Sequence, residues 1–128
     1  MYLSLVRSAL LTICCLVLSP SVQAADYPTK PVTLIVPFAP GSSSDTSARL
    51  IAQSLSKSFG QPVVIENKVG AGGTIAATHV SRSKPDGYTL FWTSSSVQVI
   101  APFVMPDLSW DPVKSFIPIG LSSRLPQV

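Results

Sequence analysis

Cysteine, histidine and charge are all scarce in this sequence. The two cysteines, Cys14 and Cys15, are adjacent and lie inside an apolar N-terminal stretch. Because the rest of the chain has none, it has neither a disulfide framework nor a thiolate metal site. The single histidine, His79, falls in the middle of a predicted helix, where it is more often a surface or packing residue than a general base. We therefore expect no metal and no cofactor.

Charged residues make up only 12% of the chain, and its formal net charge of +3 is scattered without a basic run. Nucleic-acid binding requires lysine and arginine clustered on one surface, so we expect no nucleic-acid partner. Hydrophobic residues reach 46%, enough for a packed core. A domain without disulfides depends on that core for its stability.

Residues 1–24 have the organisation of a secretory signal peptide. Arg7 precedes the apolar run Ala9–Leu18, and Val22-Gln23-Ala24 supplies small residues at a cleavage site. The run is shorter than the roughly 20 residues that a membrane span needs. Ile13 stands where a lipoprotein signal needs a small residue before the modified cysteine. We predict export to the periplasm and cleavage near Ala24.

Strand-like and helix-like segments alternate in residues 25–128. Strands are predicted at Val32–Phe38, Val63–Glu66, Tyr88–Thr93 and near Ile117–Leu125; helices are predicted from a cap at Ser42 or Ser43 to Phe59, over Thr74–Ser83, and briefly up to Ala101. The first strand is apolar at nearly every position, which is typical of a strand buried on both faces. The alternation predicts an α/β fold with an open, mainly parallel sheet and helices on both faces.

Three polar loops follow the first three predicted strands: Ala39–Asp45, Gly70–Thr74 and Thr93–Ser96. In open α/β sheets, ligands bind beyond the carboxyl ends of the strands, where these loops would meet. Backbone N–H groups at helix starts, together with hydroxyls, suit a carboxylate or a phosphate. The residues alone are equally compatible with ordinary capped turns.

Catalytic interpretations of these loops are weaker. The segment Gly41–Asp45 lacks the second glycine of a nucleophile elbow, although an exported serine hydrolase using Ser43 or Ser44 stays an alternative. Gly70–Gly73 is followed by Ile75 where a dinucleotide fingerprint has a third glycine. Asp45 and Glu66 could form an acid–base pair, but we favour a helix-start role for Asp45 and a strand-end role for Glu66.

An ordered set of motifs adds a family resemblance. The set comprises Tyr27–Pro31, Ile35–Gly41 with Asp45, Gly60–Asn67, Gly70–Gly73, Pro85–Leu90 and Trp110–Pro112. It resembles the substrate-binding proteins of tripartite tricarboxylate transporters, the Bug family, over nearly all of residues 25–128. The resemblance implies a non-enzymatic periplasmic receptor whose two α/β domains close like a Venus flytrap on a small carboxylate. Integral membrane transporter subunits would then receive the ligand.

The resemblance also implies a set of ligand-binding residues. By position they are Phe38, Pro40, Gly41, Ser42, Ser43, Asp45, Ala71, Gly72, Gly73, Thr74, Thr93 and Ser94. Ser42 stands where the family usually has a second glycine, Val69 replaces a common proline, and Ala76 replaces a common glycine. These departures affect the shape of the loops and the choice of ligand.

Family members are longer than this chain. We therefore expect residues 25–128 to be the N-terminal part of the first ligand-binding domain, with the second domain absent. Such a truncated receptor would be a monomer that binds its ligand weakly or not at all on its own. A sensor or interaction module without a transport role is the remaining alternative.

Overall fold

The computed structural model describes residues 26–124, so the predicted signal peptide and its cleavage site lie outside the described residues. The elements in chain order are strand β1 (Val32–Val36), helix α1 (Ser43–Phe59), strand β2 (Val63–Asn67), a 3₁₀ turn (Ala71–Gly73), helix α2 (Thr74–Ser81), strand β3 (Thr89–Phe91), a π-helical turn (Ser96–Ile100) and helix α3 (Ala101–Val104). Within this described part, no helix is both long and apolar enough to cross a membrane.

The three strands form one parallel sheet in the order β2-β1-β3. Val36 at the end of β1 pairs with Asn67 at the end of β2, and Ile35 pairs with Phe91 at the end of β3. All three carboxyl ends therefore lie at the same edge of the sheet. The predicted α/β class and parallel sheet are confirmed.

Helices cover both faces of the sheet, as predicted. On one face, Leu34 and Val36 of β1 form a buried cluster with Ala48 and Ala52 of α1. On the other face, Ala77 of α2 packs in a second buried cluster. In β3, Leu90 packs against the first cluster and Phe91 against the second, because successive side chains of a strand point to opposite faces.

Local hydrogen bonds fix both ends of α1. The hydroxyl of Ser42 accepts from the N–H of Asp45 at 3.2 Å, which resolves the choice between Ser42 and Ser43 as the N-cap. At the other end, Gly60 has φ of 65° and donates to the carbonyl of Ser56 at 3.1 Å. The left-handed conformation favours glycine here, as its place after the helix predicted.

The predicted fourth strand near Ile117–Leu125 is wrong over its described part, since residues 117–124 contain no strand. Ile117, Ile119 and Leu121 are 85%, 82% and 71% exposed. Their alternating apolar pattern is typical of a strand, but a strand also needs a neighbour to pair its N–H and C=O groups. None of the three strands of the described sheet pairs with this segment.

Candidate ligand-binding site

A cleft of about 340 Å³ lies at the carboxyl edge of the sheet. Its lining comes from the loop after β1, the loop after β2 and the π-helical turn. The lining residues are Pro37, Phe38, Ala39, Val69, Gly70, Gly72, Gly73 and Ser96. The structure thus brings together segments that follow all three strands, at the edge where open α/β sheets bind ligands.

Three of the twelve residues named from the sequence, Phe38, Gly72 and Gly73, line this cleft. The other nine lie in the same loops or in the first turns of the helices that follow them, without lining the cleft: Pro40, Gly41, Ser42, Ser43, Asp45, Ala71, Thr74, Thr93 and Ser94. The twelve residues omit five lining residues: Pro37, Ala39, Val69, Gly70 and Ser96. Of these, Ala39, Gly70 and Ser96 lie in the polar loops predicted to meet at this edge. The available signal was position, because each lies in or beside one of the predicted loops.

The walls of the cleft carry almost no polar side chains. Ser96 is the only lining residue with a polar side chain, and its Oγ lies 2.6 Å from Oγ of Ser94. No lining residue is charged. Among residues 26–124, no three His, Cys, Asp or Glu side chains are grouped to hold a metal ion. An anion in this cleft would therefore be bound by backbone N–H groups and hydroxyls.

Tight backbone packing shapes the loop after β2. Ala71, Gly72 and Gly73 have φ of 44°, 62° and 94°, all in the left-handed region. A Cβ atom on Gly73 would lie 2.5 Å from Cγ2 of Val97 and 3.2 Å from Cβ of Pro37. The absence of a side chain at Gly73 therefore lets this loop contact both the loop after β1 and the π-helical turn.

The start of α1 offers open hydrogen-bond donors at the same edge. The first four N–H groups of a helix have no acceptor in the preceding turn. Here the N–H groups of Asp45 and Thr46 are taken by Oγ and the carbonyl of Ser42. The N–H groups of Ser43 and Ser44 remain as the donors of the first turn, where the helix dipole favours an anion.

Asp45 is 1% exposed, and its carboxylate is engaged within the protein. Its donors are the N–H of Gly41 at 2.9 Å, Nε of Arg49 at 2.8 Å and Nδ2 of Asn67 at 2.9 Å. These bonds, above all that from Arg49, hold the pKa of Asp45 well below its usual range. The network supports the helix-start role predicted for Asp45. Glu66 instead pairs with Lys68 at 2.6 Å and is exposed.

The pKa of Asp45 predicts how the stability of the fold responds to acid. The folded-state pKa lies below the unfolded value of about 3.9, so ionised Asp45 stabilises the fold above about pH 4. This stability is lost as the pH falls through the folded-state pKa. We expect the urea midpoint to fall less steeply below pH 4 in Asp45→Asn than in the wild type. Parallel midpoint curves for the two proteins would contradict the assignment.

Comparison with known proteins agrees with the fold and the motifs. The model of the tripartite tricarboxylate transporter family receptor matches residues 47–128. BugT of Bordetella pertussis is 40% identical over 108 residues, which cover 84% of this chain and 33% of that protein. The chain thus spans about a third of the length of the curated relatives that it matches.

Two solved structures share the fold at high identity. A R. palustris protein solved with adipate has a TM-score of 0.66 and 41% identity, covering 68% of this chain and 29% of that one. MatC from Rhodopseudomonas palustris, solved with bound malate, has a TM-score of 0.62 and 43% identity, covering 72% and 31%. The matching family is one of transporter receptors rather than enzymes, which removes the serine hydrolase alternative for Ser43 or Ser44. The chain belongs to the tripartite tricarboxylate transporter receptor family.

Proposed function

We propose that residues 25–128 are the carboxylate-binding N-terminal part of a periplasmic receptor that serves a tripartite tricarboxylate transporter. The observation that carries the proposal is the cleft at the carboxyl edge of the sheet, which has no charged side chain in its lining, together with the helix-start donors of α1 at the same edge. The relatives solved with adipate and malate support a small organic acid as the ligand class.

In this proposal, the ligand carboxylate is held by main-chain donors and hydroxyls. The N–H groups of Ser43 and Ser44 are one source of donors. Those of Ala71 and Gly72 are the second, since the N–H of Gly73 already donates to the carbonyl of Gly70 at 2.9 Å. Oγ1 of Thr93 is buried and has no hydrogen-bond partner among the described residues. Because Thr93 does not line the cleft, a ligand would reach this atom only if the loop after β3 rearranged.

The carbon chain of the ligand would contact the apolar wall of the cleft. Pro37, Phe38, Ala39 and Val69 supply that wall, and they offer no hydrogen bond from a side chain to a hydroxyl or keto substituent. Burying an unpaired hydroxyl costs about 1–3 kcal/mol. We therefore expect adipate, with its plain methylene chain, to bind this chain at least as tightly as malate.

Binding by this chain alone should be weak. Small-molecule sites normally bury about 70–90% of the ligand surface. Here the lining comes from one side only, the three loops at the sheet edge. In the proposed receptor, a second domain covers the other side of the ligand, and integral membrane subunits receive the ligand. The receptor itself is exported, is cleaved near Ala24 and folds as a monomer.

Calorimetry with adipate, malate and the uncharged dimethyl adipate tests the proposed function. We expect the two acids to bind with a Kd well above the micromolar range, because only one wall of the site is present. The ester should not bind, since it lacks the anionic group that the backbone donors recognise. Equal binding of ester and acid would contradict carboxylate recognition, and submicromolar affinity would contradict the one-sided site.

A further inference from the structure

Asn67 lies at the carboxyl edge of the sheet, between the loops after β1 and β2, although it does not line the cleft. It is the last residue of β2 and pairs with Val36 at the end of β1. Its Nδ2 donates to the carbonyl of Phe38 at 2.9 Å and to Oδ1 of Asp45 at 2.9 Å. Both hydrogens of the amide are thereby used within the protein.

A closed ring of side chains fixes the orientation of this amide. Oδ1 of Asn67 accepts from Arg49 at 3.4 Å, while Nε of Arg49 donates to Asp45 at 2.8 Å. Each of the three side chains therefore contacts the other two. A side chain held by two partners keeps its position more precisely than one held by a single bond.

The ring extends to the backbone of the first ligand loop, residues 38–45. Asn67 holds the loop at the carbonyl of Phe38, and Asp45 holds it at the N–H of Gly41. Local hydrogen bonds also shape this loop: the N–H of Ser42 donates to the carbonyl of Ala39 at 3.2 Å, and Oγ and the carbonyl of Ser42 accept from the N–H groups of Asp45 and Thr46. The local bonds stay within the loop and the start of α1, whereas the ring joins the loop to the end of β2.

We propose that Asn67 is a positioning residue for carboxylate binding, because its amide fixes the first ligand loop to the start of the second. The second ligand loop is the loop after β2. It begins at Lys68, whose N–H donates to the carbonyl of Val36 at 2.9 Å. Asn67 acts through Phe38, which lines the cleft, and through Asp45, whose helix provides the open donors. This inference rests on the proposed function.

The chain offers a matched control for Asn67 at the opposite edge of the sheet. Oγ of Ser56 accepts from the N–H of Val63 at 2.9 Å and donates to the carbonyl of Ala52 at 2.7 Å. It therefore joins α1 to β2, as the ring does, but at the first residue of β2. Ser56→Ala removes one hydrogen bond between the same elements and one within α1, without touching the ligand loops.

The test compares Asn67→Ala, Ser56→Ala and the wild type by NMR titration with adipate. We expect Asn67→Ala to weaken adipate binding by about tenfold, equivalent to about 1.4 kcal/mol. Ser56→Ala should bind adipate like the wild type, even if its melting temperature falls as far as that of Asn67→Ala. The amide of Gly41 should also exchange with solvent faster in Asn67→Ala, since Asp45 loses its fixed position.

Each outcome has a distinct meaning. Equal adipate affinity in Asn67→Ala and the wild type, with unchanged exchange at Gly41, would overturn the positioning role and leave the proposed function standing. Equal losses in Asn67→Ala and Ser56→Ala would also overturn it, because they would reflect general stability. A wild type that does not bind adipate would contradict the proposed function itself. If Asn67→Ala does not fold, the comparison uses Asn67→Ser, which also cannot bridge Phe38 and Asp45.

Discussion

Replacing Gly73 by alanine is expected to lower the free energy of unfolding by roughly 2–5 kcal/mol. Two effects combine at this position. Its φ of 94° strains any residue with a Cβ, at a cost of about 1–2 kcal/mol. The new Cβ would also lie 2.5 Å from Val97 and 3.2 Å from Pro37, and such overpacking typically costs about 1–3 kcal/mol. For a domain whose whole stability is about 5–15 kcal/mol, this is a large loss.

Gly60→Ala separates the two effects. Gly60 also has a positive φ, 65°, but a Cβ there would meet nothing within 4 Å. We expect this control to lose only the strain contribution of about 1–2 kcal/mol in urea denaturation. Equal losses for the two variants would show that Gly73 matters for its backbone conformation alone and that the close approach of the three loops is not required.

Replacing Trp110 by alanine is expected to cost about 3–5 kcal/mol in urea denaturation, as is typical of a buried Trp. Trp110 is only 6% exposed and packs in the cluster that contains Ala77 and Val97. Its ring also meets Phe116 edge-on at 5.6 Å between centroids. Because Val97 lies in the π-helical turn that carries Ser96, this cluster supports one wall of the cleft.

Trp110→Phe should cost much less than Trp110→Ala. The indole Nε1 is buried and has no hydrogen-bond partner among the described residues. An unpaired buried polar group costs about 1–3 kcal/mol, so removing it offsets part of the area lost with the larger ring. A Phe variant as unstable as the Ala variant would contradict this account, because it would mean that the indole N–H makes a stabilising hydrogen bond.

Local signals in the sequence predicted three strands of the sheet and the first helix correctly. The apolar run Val32–Phe38 indicated a doubly buried strand, of which Val32–Val36 forms β1. The cap at Ser42 or Ser43 and the stop at Gly60 gave the limits of α1. Each of these features depends on residues close together in the chain. Propensity, capping and periodicity are physical properties of such short segments, which explains why they could be predicted.

Features that depend on distant partners were not predictable in the same way. The apolar alternation at residues 117–124 gave no indication of whether a neighbouring strand was present to pair with it. The role of Asn67 depends on Phe38, which lies 29 positions away, and on Asp45, which lies 22 positions away. The close contact of Gly73 with Val97 likewise joins separate loops. Such contacts follow from the assembled fold rather than from any single segment.

NMR mapping of adipate on the full chain tests the central claim most directly. We predict that the largest changes in amide chemical shift fall at three places: Ser43 and Ser44, residues 71–74, and residues 93–96. Malate should give smaller changes at the same amides, and dimethyl adipate should give none. Changes confined to other surfaces, or equal changes with acid and ester, would contradict a carboxylate site at the carboxyl edge of this sheet.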